Sequence, residues 1–126
     1  MTNNEKVRDF MLTFGQAVET KAGFPDPTTL DLRLSLIEEE VDELKEAIAD
    51  FDIVEVADAL TDILYVVYGA GHAFGIDLDA CFAEVHRSNM SKLDANGKVL
   101  RREDGKVMKS DLYTPPNLRD IVLKNE

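Results

Sequence analysis

Residues 54–74 read VEVADALTDILYVVYGAGHAF, and this stretch decides the fold. Apolar residues occupy almost every side of it at helical spacing, which predicts a buried helix. Gly75 is well placed to end that helix, because glycine readily adopts the left-handed conformation found at helix C-termini. The apolar part is interrupted by glycines and a histidine and is too short to span a bilayer. We therefore expect no membrane partner.

Two more helices are predicted before this stretch. Apolar residues at helical spacing near the N-terminus indicate an amphipathic helix that ends before Gly23. A second helix is expected to run to about Asp50, capped by Thr28 or Thr29, since either hydroxyl can accept from free amide groups of the first turn. Leucine, isoleucine and valine form its predicted buried stripe, namely Leu30, Leu34, Ile37, Val41, Leu44 and Ile48.

A fourth helix completes the predicted fold. Asp77 is its expected N-cap, and the helix runs from Leu78 to about Leu93. Four helices with short connections are typical of a bundle, and 126 residues suit one compact domain. The predicted fold class is all-α: one domain over residues 1–126, with a four-helix-bundle-like core over about 3–93 and a tail over about 94–126.

The tail carries turn and linker signals. Asn96-Gly97 and Asp104-Gly105 are turn pairs, and the stretch 98–109 alternates apolar and polar residues, so a short β-hairpin is predicted. The prolines at 115 and 116 indicate a stiff extended linker. A last short helix is expected over residues 117–123.

The charge balance restricts the partners. The chain carries 25 acidic and 14 basic residues, a formal charge of −11, which argues against binding duplex nucleic acid because phosphate contacts need clustered Lys and Arg. The same excess of acidic residues suits a protein that binds divalent cations. The alternative is that these residues only form a solvated, soluble surface. Only Cys81 is present, which excludes an intramolecular disulfide and suits a reducing compartment. We expect a cytoplasmic protein.

Two of the predicted helices carry paired carboxylates. Glu40 falls at the edge of the buried stripe of the second helix, and Glu43 lies beside it one turn on. Asp58 and Asp62 are one turn apart in the apolar third helix, with Glu55 on the same line. A buried carboxylate needs a cation, a basic partner or a proton. Pairing with Lys or Arg remains open, but two such helices together favour a site for Mg²⁺, with Mn²⁺ as an alternative.

Three residues are candidates for phosphate binding. Asn89 and Lys92 continue the apolar line of the fourth helix, where an amide and an ammonium group can bind phosphoryl oxygens, unless the helix simply emerges into solvent. Ser88 or Ser91 could add hydroxyl donors. Arg33 precedes the acidic cluster by two turns and can either bind a phosphate or neutralise Glu40.

Two linked motifs carry a family resemblance: LIEEEVDEL at residues 36–44 and DALTDILYVVYG at residues 58–69. They resemble the all-α nucleotide pyrophosphohydrolase superfamily, which includes MazG-like proteins, dimeric dUTPases and phosphoribosyl-ATP pyrophosphohydrolases. The segment HRSNMSK at residues 86–92 resembles the phosphate-contacting segment of the phosphoribosyl-ATP branch. The resemblance covers the four predicted helices.

The resemblance implies a set of metal ligands. In that superfamily a Glu-x-x-Glu pair and a Glu-x-x-Asp pair gather around Mg²⁺, so Glu40, Glu43 and Asp62 are implied as ligands. The second pair departs from the pattern, because Ala59 stands where Glu is expected. Either Asp58 or Glu55 then completes the site.

The resemblance also implies a reaction. A metal-activated water would attack the α-phosphorus of a nucleoside triphosphate, releasing pyrophosphate and leaving the monophosphate, in nucleotide-pool housecleaning. Glu39, Glu40 and Glu43 form the implied catalytic set, with Glu39 or Glu43 taking the proton, while Asn89 and Lys92 hold the phosphates. A homodimer or homotetramer is expected. The alternative from another class is a non-catalytic helical module whose acidic groove binds a basic partner or a structural metal.

Overall fold

The computed structural model describes residues 1–124, and its regular elements are mostly helical. The predicted fold class, all-α with a bundle-like core and a short C-terminal hairpin, is confirmed. The chain divides into two compact units, of which the first is Met1–Leu78 and the second begins at Asp79. The elements are α1 Asn3–Thr13, α2 Pro27–Ala49, α3 Ile53–Phe74, α4 Leu78–Met90, β1 Leu100–Arg101, β2 Val107–Met108 and α5 Arg119–Val122.

A single domain over residues 1–126 stays a prediction, and its last two residues lie outside the described part of the chain. None of the helices within residues 1–124 combines the length and the apolar character needed to cross a membrane.

Helix α1 ends at Thr13, so its predicted continuation towards Gly23 is wrong. Gly15 adopts the left-handed conformation, with φ of 75°, directly after the last turn. The N–H of Gln16 donates to the Met11 carbonyl at 2.8 Å, which satisfies one of the free carbonyls at the helix C-terminus. The apolar residues beyond Gly15 therefore belong to an irregular segment that leads to α2.

The N-cap of helix α2 lies two or three residues before the predicted threonine cap. The cap is Asp26, whose side-chain Oδ1 accepts from the N–H of Thr29 at 2.8 Å, so capping by Thr28 or Thr29 is wrong. Pro27 occupies the first helical position, where its missing N–H has no intrahelical partner to lose and its fixed φ suits the helix. The carboxylate one residue before it is consequently the cap.

A tight turn joins α2 to α3. Phe51 adopts φ of 51°, an uncommon conformation for a residue other than glycine, and its side chain is 94% exposed. Asp52 caps α3, because its Oδ1 accepts from the N–H groups of Val54 and Glu55 at 3.2 Å each. Such a short connection makes two helices antiparallel neighbours, and α2 and α3 contact each other extensively.

Helix α3 also packs against α1 and ends where the sequence predicts. His72 Nε2 lies 3.0 Å from the Asn4 carbonyl oxygen, a hydrogen-bond contact that ties the two helices together. Gly75 ends α3 in the left-handed conformation, with φ of 69°. The apolar surface of α3 is less covered than predicted, since Leu60 and Leu64 are 49% and 56% exposed.

The predicted stripe of α2 is also only partly buried in this chain. Leu34 and Ile48 are exposed. The other four residues of the stripe are half-buried, namely Leu30, Ile37, Val41 and Leu44. The periodicity identifies the apolar side of a helix, but the neighbouring helices decide how much of that side is covered.

The second unit contains the predicted hairpin. Strands β1 and β2 are antiparallel, with Leu100 opposite Met108, and Gly105 forms the turn with φ of 87°. Helix α4 ends at Met90, earlier than predicted, where Ser91 Oγ donates to a backbone carbonyl of the last turn. Helix α5 begins at Arg119, slightly later than predicted.

Candidate metal centre

Three carboxylates of the first unit converge between α2 and α3. Glu40 and Glu43 lie one turn apart on α2, and Asp62 lies on α3. Each offers a carboxylate oxygen, and these three oxygens all lie within 4.8 Å of one another. The i, i+3 spacing on α2 places two of the groups on one side of the helix, and the antiparallel packing of α3 supplies the third.

Glu40 is the most perturbed of the three. Its Oε2 atom is buried and has no hydrogen-bond partner within residues 1–124. Burial raises the pKa of Glu40, and the negative charges of Glu43 and Asp62 raise it further. A hydrogen bond with Glu43, and the charge of Asp58, act in the same direction. A buried oxygen without a donor, surrounded by like charges, favours a cation or a proton.

Asp62 and Asp58 belong to the same electrostatic group. Burial raises the pKa of Asp62, followed by the charges of Asp58 and Glu43. The exposed Asp58 therefore acts on both Asp62 and Glu40. Glu55 instead lies in the first turn of α3, where its N–H donates to the cap, and it is not among the charges that raise either pKa.

These residues fit a hard divalent cation. Carboxylate oxygens are the ligands that Mg²⁺ and Mn²⁺ prefer over nitrogen or sulfur. A cation between the helices would give the buried Oε2 of Glu40 the partner that it lacks within the described residues, and would offset the repulsion among the three carboxylates. Glu39, the neighbouring acid on α2, has an exposed side chain.

Arg33 lies two turns before Glu40 on α2, and its side chain is buried. Its Nη2 donates to Gln16 Oε1 at 3.1 Å, across the irregular segment that follows α1. No ion pair joins Arg33 to a carboxylate within the described chain. Sequence reasoning missed Gln16, because this contact joins residues seventeen positions apart and has no local signal.

The candidate phosphate residues lie in the second unit. Asn89 is exposed near the end of α4, and Lys92 is half-buried just after it. Ser88 Oγ donates to the Thr114 carbonyl at 2.8 Å, and Ser91 Oγ accepts from the N–H of Thr114 at 3.0 Å. The two serine hydroxyls therefore hold the C-terminal segment against α4, a role that the sequence did not reveal.

An ion pair on α4 reinforces this attachment. Arg87 Nε lies 2.6 Å from Glu84 Oε1, and Arg87 Nη1 donates to Thr114 Oγ1 at 2.6 Å. The second carboxylate oxygen of Glu84 accepts from the N–H of Asn117 at 2.6 Å. The Arg87 and Asn117 donors lower the pKa of Glu84 to about 2.

The sequence profile of the phosphoribosyl-ATP pyrophosphohydrolase family matches residues 7–89. The chain belongs to this family. The matched range contains all three converging carboxylates and the four long helices, except for the first turn of α1 and the last residue of α4. As a phosphoribosyl-ATP pyrophosphohydrolase family member, the chain is part of the MazG-like all-α superfamily that its motifs resemble.

A viral protein is similar to part of this chain. Over 82 residues, or 62% of this chain, it is 48% identical to the uncharacterized protein L479 of Acanthamoeba polyphaga mimivirus. The match covers 33% of that relative, so this family member spans about a third of its length.

Proposed function

We propose that the protein hydrolyses a nucleoside triphosphate, or a related nucleotide, to the monophosphate and pyrophosphate in the presence of Mg²⁺ or Mn²⁺. The observation that carries the proposal is the carboxylate cluster of Glu40, Glu43 and Asp62, with a buried Glu40 oxygen that has no hydrogen-bond partner among the described residues. Membership of a pyrophosphohydrolase family supports a nucleotide as the substrate.

The proposed roles follow from exposure and charge. Glu40, Glu43 and Asp62 would hold the cation, and Asp58 is the proposed fourth carboxylate because its charge acts on two of them. A bound Mg²⁺ neutralises phosphate charge and lowers the pKa of a coordinated water. Glu39 or Glu43 would accept the proton of the attacking water, since both side chains are exposed.

For Asn89 and Lys92 we propose phosphate binding on the chemistry of their side chains. Both offer polar hydrogens at the end of α4, and the Lys92 ammonium adds a positive charge that suits phosphoryl oxygens. For Arg33, burial beside Gln16 favours a different role from phosphate binding.

We also propose that the protein acts as a homodimer or homotetramer, in cytoplasmic nucleotide-pool housecleaning. Support for assembly comes from α3, where Leu60, Leu64 and Val67 form an exposed apolar stripe at positions i, i+4 and i+7. Such a stripe suits the packing of another helix, because residues at these intervals share one side.

The test is pyrophosphate release from a panel of ribo- and deoxyribonucleoside triphosphates, with Mg²⁺ or with a chelator. We expect metal-dependent release that falls at least about 100-fold in Glu40→Gln and in Asp62→Asn, because each change removes a charged ligand from the cluster. Glu38→Gln is the matched control, since Glu38 is an exposed glutamate on the same helix. No release by the folded protein from any triphosphate would favour the non-catalytic module instead.

A further inference from the structure

A cavity of about 260 Å³ lies among α1, α2 and α3 of the first unit. Its walls are mostly apolar or aromatic, and they include Phe10, Met11 and Tyr65. Two polar side chains, Gln16 and Arg33, also line it. A mostly apolar cavity with a few polar groups is the usual form of a small-molecule site.

Arg33 gives this cavity an unsatisfied binding group. The residue is only 7% exposed, and its Nε atom is buried without a hydrogen-bond partner among residues 1–124. Its contact with Gln16 satisfies one of five guanidinium hydrogens but supplies no negative charge. A buried donor left unpaired is costly, so the guanidinium group is expected to gain an acceptor from a ligand.

The groups that line the cavity suit a flat ring that bears hydrogen-bond acceptors. Gln16 Oε1 already accepts from Arg33, which leaves the Gln16 amide hydrogens as further donors. Tyr65 and Phe10 provide aromatic surface, with their rings edge to face at a centroid distance of 5.7 Å. Donors beside aromatic surfaces are the usual means by which proteins bind an unpaired nucleobase.

The position of the cavity relative to the carboxylates also suits a base. Arg33 precedes Glu40 by two turns of α2, about 10 Å along the axis, and Tyr65 follows Asp62 by one turn of α3, about 4.5 Å. In antiparallel helices these two displacements have the same direction. A nucleotide with its phosphates at the carboxylates would therefore extend its sugar and base towards the cavity.

We propose that this cavity is the base subsite of the enzyme, and that Arg33 and Gln16 donate hydrogen bonds to carbonyl oxygens of the base. The proposal rests on the proposed hydrolysis of a nucleotide at the neighbouring carboxylates. It favours bases that carry a carbonyl oxygen over adenine, because a carbonyl oxygen has two lone pairs and can accept from both Arg33 and Gln16, whereas each adenine ring nitrogen has one lone pair and accepts from a single donor. Tyr65 provides the surface against which the ring packs.

Binding of nucleosides without phosphate tests the subsite apart from the reaction. We expect saturation-transfer NMR with metal-free protein and a chelator to detect uridine binding more strongly than adenosine binding. Arg33→Met and Gln16→Ala should weaken uridine binding by about 10-fold or more. Arg8→Met, a change at an exposed arginine of α1, should leave it unaltered. Gln16 is exposed, so its variant tests the proposal even if Arg33→Met does not fold.

Gly69 offers a third variant that keeps the charge. A Cβ at this position would lie 2.8 Å from Arg33 Nη1, so Gly69→Ala must move the end of that flexible side chain. We expect Gly69→Ala to weaken uridine binding as well. Unchanged binding in all three variants would overturn the assignment, as would the absence of uridine binding by the folded wild type.

Hydrolysis distinguishes a base contact from a phosphate contact. Arg33→Met is expected to raise KM for a carbonyl-bearing nucleoside triphosphate by about 10- to 100-fold with little change in kcat, and to leave cleavage of inorganic tripolyphosphate unaltered. Equal losses with both substrates would overturn the base assignment and make Arg33 a phosphate ligand. Uridine binding by a protein that hydrolyses no triphosphate would reject the proposed reaction but keep the subsite.

Discussion

At the scale of single residues, Glu40 and Asp62 are carboxylates whose folded environment opposes their ionisation. Burial comes first among the causes of both raised pKa values, and neighbouring carboxylates add to it. The folded chain therefore retains protons at pH values where the unfolded chain has lost them. Their contribution to stability is full below the ordinary pKa values of 4.5 and 3.8 and is lost as the pH rises through the higher folded-state values.

This linkage gives a prediction for the metal-free protein. Relative to Glu40→Gln, which cannot ionise, the wild type should lose free energy of unfolding as the pH rises from 4.5 towards neutrality. Mg²⁺ should restore it at neutral pH, by about 2.7 kcal/mol when the ion is present at 100 times its Kd. Urea unfolding across this pH range, with chelator or with Mg²⁺, measures both effects. A constant difference between the two proteins would contradict the prediction.

A second prediction at the scale of single residues concerns Glu84, whose pKa is shifted in the opposite direction to those of Glu40 and Asp62. The pKa of Glu84 is lowered to about 2 by its hydrogen bonds from Arg87 and Asn117. Its contribution to stability is therefore present above 4.5 and is lost as the pH falls through about 2.

Protease cleavage of the C-terminal segment measures the loss of this attachment. We expect Glu84→Gln to be cleaved faster than the wild type at neutral pH and the difference to shrink in strong acid, where Glu84 is protonated in both unfolded and folded chains. Glu103→Gln, at an exposed position, is the control. Equal cleavage of Glu84→Gln and the wild type at neutral pH would rule out this role for the ion pair.

At the scale of helices, two glycines end helices in the same backbone conformation but in different surroundings. Gly15 and Gly75 have φ values of 75° and 69°. A Cβ at Gly15 would meet no atom of residues 1–124 within 4 Å, whereas a Cβ at Gly75 would collide with the Lys21 carbonyl. The comparison separates the cost of a left-handed conformation from the cost of a backbone collision.

We expect Gly15→Ala to lower the free energy of unfolding by about 1 kcal/mol, the cost of placing a side chain in this conformation. Gly75→Ala should cost about 1–3 kcal/mol more, because the irregular segment must move away from α3. Urea denaturation of the two variants and the wild type gives the comparison. Equal losses of unfolding free energy in the two variants would contradict the prediction, because they would show that the irregular segment around Lys21 moves without cost.

At the scale of the whole molecule, the exposed stripe of α3 predicts self-association. Leu64→Glu should shift the protein from dimer or tetramer towards monomer, because it places a charge in the apolar contact. Leu112→Glu is the control, since Leu112 is 55% exposed and lies in the second unit. Analytical ultracentrifugation over a range of concentrations measures the change. A monomeric wild type at high concentration would contradict the prediction.

The ends of the helices show which local signals sequence reasoning can use. The end of α3 at Gly75 was predictable, because an apolar helical run followed by glycine is a local pattern. The end of α1 at Thr13 was not predicted, because apolar residues continue at helical spacing beyond Gly15 and indicated a longer helix. The cap of α2 was missed for a related reason, because Pro27 moves it to Asp26.

The sequence by itself determined the helical class, the third helix and the pairing of Glu40 with Glu43, because helical periodicity relates residues only a few positions apart. The motifs implied Asp62 as a further ligand, but tertiary structure alone decided how close its carboxylate lies to that pair, that Arg33 contacts Gln16, and that one side of α3 stays exposed. These features depend on packing between elements distant in the chain, for which periodicity along one helix carries no information. The spacing along α2 therefore places Glu40 beside Glu43, and the packing of α3 against α2 brings Asp62 to them.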